Sequence, residues 1–427
     1  MALAAVPRHV LCVRLVALAP FVSLAGASGC FEATETLGSA CEKDHDCDPA
    51  QSCDNGVCGL CGNGRVDPGE FCFGPSRDYA VPGVIAGVFA ADLDGEGDLD
   101  IAAVTNDFCA TSPTEFGPCF RSVLLVSSGP REYTVIDAGA DTTFDARVSA
   151  FDVADLDGDG RFDAVIAFED APGLLVVFAL ADAADAPDPI VLQTSAPVVD
   201  VLIEDIDGDG ILDLATGSRA PMAPVEMFWG MGGGAYTSAQ PVPAGAGARL
   251  SRGADFDGDG RMEFAVANLL ESSVTVLRNV GDRNFDVAST VPLPGLPAAI
   301  AAGDLDGDEL PEVVASVVQL DLVVVAPNVA GTVVGTDLIE LEAPSLPAGL
   351  LLSDGNEDGA LDIFVAGNGT DRVGVFLNRG GTFPDRVDLD VGPAPLFMIR
   401  QDIDGDGAAD MIVANGSSTI SIIYPDF

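Results

Sequence analysis

The chain has 427 residues, 67 acidic and 19 basic, for a formal net charge of −48. So negative a field repels nucleic-acid phosphates and anionic lipid surfaces, while 48% hydrophobic residues set the chain apart from a disordered acidic tail. The only lysine is Lys43 and the only histidines are His9 and His45, so the sequence beyond residue 45 has no means to build Ser-His-Asp or Cys-His pairs, histidine zinc sites or Schiff-base lysines.

Residues 1–29 contain no acid. Arg8, His9 and Arg14 form a basic start, and Leu15 to Ala27 is an apolar run too short for a comfortable membrane span. This is the pattern of an export signal. The segment Leu24-Ala25-Gly26-Ala27-Ser28-Gly29-Cys30 resembles a bacterial lipobox. That resemblance implies lipidation of Cys30, which becomes the first mature residue, with residues 30–40 as a tether. Ordinary signal cleavage near Ala27 or Gly29, giving a soluble secreted protein, is the alternative. Cysteine parity favours the lipid: without Cys12 and Cys30, eight cysteines remain, an even set for an oxidising compartment. The expected location is the bacterial outer membrane or cell surface, with the lipid as the only membrane contact.

Residues 41–72 carry six cysteines, Cys41, Cys47, Cys53, Cys58, Cys61 and Cys72, among Asp, Gly, Asn and Pro. Such a segment buries no apolar core, so covalent bridges must hold it. Zinc at the Cys58-Gly-Leu-Cys61 pair is the competing reading, and oxidation on export argues against it. The run Cys61-Gly-Asn-Gly-Arg-Val-Asp-Pro-Gly-Glu-Phe-Cys72 resembles a cysteine-rich motif of surface proteins from myxobacteria and their relatives.

From residue 92 one acidic loop recurs seven times, starting at Asp92, Asp155, Asp205, Asp255, Asp304, Asp354 and Asp402. The starts are 63, 50, 50, 49, 50 and 48 residues apart. A period near 50 marks a propeller or solenoid array. Positions 1, 3, 5 and 9 of each loop are the candidate metal ligands. They are Asp92, Asp94, Glu96 and Asp100 in the first loop, and Asp155, Asp157, Asp159 and Asp163 in the second. The third has Asp205, Asp207, Asp209 and Asp213, and the fourth Asp255, Asp257, Asp259 and Glu263. The fifth has Asp304, Asp306, Asp308 and Glu312, the sixth Asp354, Asn356, Asp358 and Asp362, and the seventh Asp402, Asp404, Asp406 and Asp410. Carboxylates so closely spaced turn oxygens toward one centre, and oxygen-only ligation favours Ca²⁺, up to seven ions. Glycine at position 6 permits the reversal, so Glu309, which replaces it in the fifth loop, marks the weakest site. Solvated acidic turns would explain one such loop, but not seven in phase.

Each loop is preceded by an apolar stretch such as Val148 to Ala154 and followed by short strands such as Ala164–Ala167, Gly173–Phe178 and Pro189–Gln193. Four strands per repeat, with no helical periodicity, fit a propeller blade. The first repeat is longer by about 13 residues between Thr105 and Arg121, an insertion containing Cys109 and Cys119, for which a disulfide is expected. The seventh repeat lacks a fourth strand, and residues 76–81, upstream of the first loop, read as the missing one. The units, for example Leu377-Asn-Arg-Gly-Gly-Thr-Phe383 through Asp402-Ile-Asp-Gly-Asp-Gly-Ala-Ala-Asp410, resemble FG-GAP or VCBS repeats of integrin-α-like propellers. The resemblance covers residues 73–427. The expected fold is all-β, a seven-bladed β-propeller of FG-GAP/VCBS-type repeats preceded by a small disulfide-rich module.

The resemblance implies Ca²⁺ in the loops but no activity, since such propellers host binders and enzymes alike. The expected function is a non-catalytic, calcium-stabilised envelope scaffold for a protein or polymer partner, with no nucleic acid. The alternative is a carbohydrate-active lyase or hydrolase. Sugar sites favour aromatic platforms, and the mature chain offers one tryptophan, Trp229, and four tyrosines.

Overall fold

A computed structural model describes residues 73–427, except 94–97, 113–114, 130, 142–146, 170, 179–187, 222 and 426–427, together with two short strands, Ser52–Asp54 and Val57–Gly59. The signal segment, Cys30, the tether and nearly all of the cysteine module lie outside the described residues. The two short strands pair antiparallel with Cys53 opposite Cys58 in the backbone register.

Among the described residues the chain is all-β, broken by a single 3-10 turn at Val318–Leu320. Five four-stranded sheets and one seven-stranded sheet hold the repeats. In the sixth repeat the strands are Pro347–Ser353, Asp362–Gly367, Arg372–Leu377 and Asp385–Asp390, each antiparallel to the next. The other repeats follow the same order. The seven-stranded sheet joins the second and third repeats, because Ile190–Glu204 runs unbroken from the outer strand of one into the inner strand of the other.

The sequence explains the layering. Second strands such as Asp163–Phe168, Asp362–Gly367 and Asp410–Asn415 are buried at every residue. A strand covered on both faces needs a continuous apolar, β-branched run rather than alternation. Outer strands such as Ile339–Glu342 alternate between half-buried and exposed, as a one-faced edge requires. Apolar clusters form between sheets. One takes Phe364, Val375 and Leu389 from the sixth repeat and Met398, Met411 and Ile423 from the seventh. Another takes Ile403, Ile412 and Ile422 from the seventh repeat and Ile85, Ile101 and Val123 from the first. The two chain-distant repeats therefore share a core.

The seventh repeat is completed from the other end of the chain. Arg77–Ala80 pairs antiparallel with Thr419–Ile423, setting Ala80 opposite Thr419 and Arg77 opposite Ile422. The strand expected at 76–81 is thus present. Phe73 forms a β-bridge with Pro425, and the Gly74 N–H donates to the Tyr424 carbonyl at 2.8 Å.

The long first repeat differs from expectation. Its extra residues are no loose loop, because they prolong the second and third strands into a hairpin, Asp100–Ser112 and Glu115–Gly129. The side chains of Cys109 and Cys119 lie outside the described residues. The backbone register sets Cys109 opposite Gly117 and Cys119 opposite Asp107, so the cysteines are diagonal neighbours. Non-reducing peptide mapping is expected to join Cys109 to Cys119. A link from Cys109 to the segment 41–72 would refute that pairing.

Candidate functional site

Each acidic loop connects the first and second strands of its repeat, and its geometry repeats closely. In the second loop the position-1 carboxylate, Asp155, accepts N–H groups from Gly158, Asp159 and Gly160 at 2.8 to 3.1 Å. Asp157 Oδ1 accepts from Asp159 N–H, and Asp159 Oδ1 from Arg161 N–H. The position-9 carboxylate, Asp163, turns back to accept the Leu156 N–H at 2.8 Å. The same set recurs in the third and seventh loops. Folding thus gathers the acids around the turn, and position 9 is the buried one: Asp213, Asp362 and Asp410 are inaccessible to solvent.

Among the described residues, five groups of three acids have ligand oxygens within 4.8 Å of one another. They are Asp155, Asp157 and Asp163; Asp205, Asp207 and Asp213; Asp255, Asp257 and Asp259; Asp304, Asp306 and Asp308; and Asp402, Asp404 and Asp410. These groups could hold a metal ion. Positions 1, 3 and 9 meet in three of the loops. Positions 1, 3 and 5 meet in the fourth and fifth, whose position-9 residues are the longer Glu263 and Glu312. The sixth loop forms no three-acid group, because Asn356 replaces an acid and donates its amide to Asp358 at 3.0 Å. In the first loop Asp94 and Glu96 lie outside the described residues, while Asp100 accepts the N–H groups of Leu93 and Ser127.

The observation that favours a hard cation here is the convergence of acid oxygens on one centre. Glu263 Oε1 and Asp410 Oδ1, buried without a hydrogen-bond partner, are the oxygens that in sister repeats accept a backbone N–H, as Asp213 does from Gly230 and Asp362 from Asn378; beside Asp410 that place is taken by Pro425, which has no N–H to give. Burial also raises the carboxyls at position 9: Asp213 and Asp362 are pushed up to about 6, and Glu263 and Asp410 to about 7. Oxygen donors in this number suit a divalent cation of the Ca²⁺ type.

Backbone conformation bears out the reading of position 6. Gly160, Gly210, Gly260, Gly359 and Gly407 all have φ between 84° and 95°, and Glu309 is held at 72°. A side chain in that region is strained by roughly 1–2 kcal/mol. Glu309→Gly is therefore expected to stabilise the protein by about 1 kcal/mol. Thermal unfolding of the two proteins side by side checks this, and an unchanged or lower midpoint for the variant would contradict it.

Several structural residues were not legible in the sequence. Asn279, Asn328 and Asn378, each at the end of a third strand, donate to two carbonyls. One belongs to the preceding repeat's loop (Ile206, Phe256 and Leu305), the other to their own (Met262, Pro311 and Leu361), at 2.7 to 3.3 Å. Between the seventh and first repeats Tyr133 does the same work, its hydroxyl lying 3.2 Å from the Leu99 carbonyl and 3.4 Å from that of Ile403. A hydroxyl on a tyrosine four residues past the turn-side strand end gives no sequence signal that it replaces an amide.

A cavity of about 380 Å³ lies among the first strands, lined in part by Phe89, Phe151, Asp152, Asp200, Arg249 and Arg252. Its acids Asp152 and Asp200, and Glu204 nearby, are engaged in structure. Asp152 accepts the Ile203 N–H, Asp200 the Leu250 N–H and Glu204 the Gly253 N–H, at 2.8 to 3.0 Å, each across a repeat boundary. Arg252 lies between Asp152 and Glu204, at 3.2 and 3.7 Å. Burial raises the carboxyls of Asp200 and Glu204, opposed by these partners.

Residues 205–266 and 255–315 match the FG-GAP-like repeat family. No curated protein sequence matches the chain. Among solved structures, the chain is similar to one from the crystal structure of BBS1N in complex with ARL6DN, soaked with lead. The TM-score is 0.53 at 10% identity, covering 83% of this chain and 96% of that one. At that identity the likeness speaks for the propeller-like fold alone.

Proposed function

We propose that the protein is a non-catalytic, calcium-stabilised seven-bladed propeller of the bacterial envelope that serves as a scaffold for a protein or polymer partner. The observation that carries this reading is the division of labour between the two ends of the sheets. One end holds the acidic loops, where the clustered acids accept backbone N–H groups and could hold a metal ion. The other end holds the connections between second and third strands and between repeats. There, on a chain of charge −48, Leu270, Leu296 and Leu346 stand 36–45% exposed. They border a depression of about 420 Å³ that also includes Arg219 and Arg249. Apolar side chains grouped with arginines and facing solvent suit a protein partner better than a sugar.

Three further points support the reading. The match of residues 205–315 to FG-GAP-like repeats is compatible with a role in protein interaction, and the structural neighbour was solved with a partner, ARL6DN. The shared core of the seventh and first repeats, and the strand Arg77–Ala80, are what a closed ring of seven blades requires. The acids outside the loops that could act in pairs, Asp152, Asp200 and Glu204, are bound to backbone and Arg252. Export, lipidation of Cys30 and the disulfide-rich module of residues 41–72 complete the proposal.

The test is capture of partners from envelope and matrix fractions by the calcium-loaded protein and by a Leu270→Asp/Leu346→Asp variant. A partner retained by the first and lost by the second supports the scaffold. Turnover of any member of a polysaccharide panel would replace it with the enzyme reading. Mass spectrometry of the N-terminal peptide, expected to find acylated Cys30, checks the anchor.

A further inference from the structure

In the first, third, fourth, fifth and sixth repeats the turn between third and fourth strands lies against the acidic loop of the preceding repeat. Its second residue is glycine in three described repeats, Gly234, Gly331 and Gly381, with φ of 72°, 82° and 77°. A Cβ on these glycines would lie 3.5 Å from Asp157 Cβ, 3.2 Å from Asp257 Cα and 2.9 Å from Asp306 Cβ. All three aspartates stand at position 3 of the preceding loop. In the first and fourth repeats the same place is taken by Arg131 and Arg283, with φ of 60° and 61°. A side chain held in the left-handed region, where sister turns use glycine, is retained for what it does.

What these arginines do is specific. Arg131 Nε donates to Asp404 Oδ2, and its Nη2 to Asp406 Oδ2 at 2.9 Å. Arg283 Nε donates to Asp207 Oδ2, and its Nη2 to Asp209 Oδ2 at 3.3 Å. In each case the partners are positions 3 and 5 of one loop. The Oδ1 atoms of the same four aspartates already accept loop N–H groups. The guanidinium therefore takes the oxygens left over for a metal. Each is braced from behind by an aromatic face, Tyr424 at 4.7 Å from Arg131 and Trp229 at 5.2 Å from Arg283. Arg161 and Arg261, in the second and fourth loops, donate to the position-5 acids Asp159 and Asp259.

We propose that Arg131 and Arg283 are built-in counter-cations of the seventh and third loops, so that these two loops take up Ca²⁺ at least tenfold more weakly than the glycine-faced second and fourth loops. The inference rests on the calcium reading above. It divides the repeats into loops closed by metal and loops closed by the neighbouring repeat's own charge. A fixed guanidinium and a divalent ion compete for the same oxygens, and the guanidinium carries no entropic cost of capture from solution.

Calcium per chain, counted by equilibrium dialysis of the metal-stripped full chain over a concentration series, tests it. The expected result is an early class of ions and two late ones. Arg131→Gly and Arg283→Gly, which install the residue of the sister turns and relieve the backbone, are each expected to move one late ion into the early class. Asp207→Asn/Asp209→Asn is expected to leave the early count unchanged, whereas Asp157→Asn/Asp159→Asn removes one early ion. If Arg131→Gly unfolds because it also joins the first and seventh repeats, Arg283→Gly decides alone. An early count unaffected by Arg283→Gly, or lowered by the Asp207/Asp209 pair, would overturn the proposal while leaving the calcium reading intact. Binding of no ion at all would overturn both.

Discussion

Removal of calcium with excess EGTA is expected to lower the melting temperature by ten degrees or more. Extracellular calcium modules bind with dissociation constants of roughly 10⁻⁴–10⁻³ M. At about 10 mM Ca²⁺ each occupied loop then adds roughly 1.4–2.7 kcal/mol by mass action. Several loops filled together would sum to a shift of that size. The stripped protein is expected to respond to pH in the unusual direction. Asp213, Glu263, Asp362 and Asp410 titrate at about 6 to 7 in the fold because they are buried, and near 4 in the unfolded chain. The protonated form is the one the fold prefers. Their stabilisation is complete below the unfolded value and is lost as pH rises through 6 to 7. The metal-free midpoint should therefore rise on acidification from pH 8 to 5.5, helped by relief of overall self-repulsion. The calcium increment should shrink over the same range, because protons and metal compete for the position-9 oxygens. An EGTA-insensitive midpoint would sink the calcium reading, and a metal-free midpoint that falls steadily with acidification would sink the account of position 9.

Loss of the closing strand is expected to be comparably severe. Deleting residues 73–82 removes the strand Arg77–Ala80 and two buried side chains, Phe73 at 1% and Val81 at 5% exposure. Phe73 packs with Phe364, Met398, Met411 and Ile423, and Arg400 lies 5.6 Å from its ring centre. Phe73→Ala alone should cost about 3–5 kcal/mol, the range for truncating a fully buried phenylalanine. The deletion adds the loss of four strand pairings and bares Thr419–Ile423 as a hydrophobic edge, which invites association. The graded pair, point variant and deletion, should melt in that order below the parent, with aggregation in the deletion. A truncated protein that melts like the parent would refute the role assigned to residues 73–81.

The repeat period, the strand order and the gathering of acids in the loops were readable because each rests on residues that recur in phase. The positive φ at position 6 could be foreseen from glycine alone, and Glu309 shows the cost of breaking the rule. The closing strand was legible because residues 76–81 had no partner within their own repeat. What was hidden lies between repeats. Nothing in the spacing indicates that Arg283 reaches Asp207, 76 positions earlier, or Arg131 reaches Asp404, 273 positions later. Those contacts depend on how one sheet sits on the next. The long hairpin of the first repeat was hidden for a different reason. Its Gly, Pro and Cys residues carry turn and linker composition, and pairing along two already formed strands outweighs those local preferences.

The bridge between Phe73 and Pro425 has a consequence for how the chain could be rewired. Its two described ends lie within one hydrogen bond of each other, so a linker of a few residues would join them. New termini could then be opened at an exposed turn such as Gly380–Gly381. Such a circular permutant would keep the strand pairings of residues 73–425, with the closing strand covalently attached to its partner. The starting repeat is thus a matter of gene order rather than of architecture, and permutants opened at successive turns would rank the repeat boundaries by how much each contributes to cooperative unfolding.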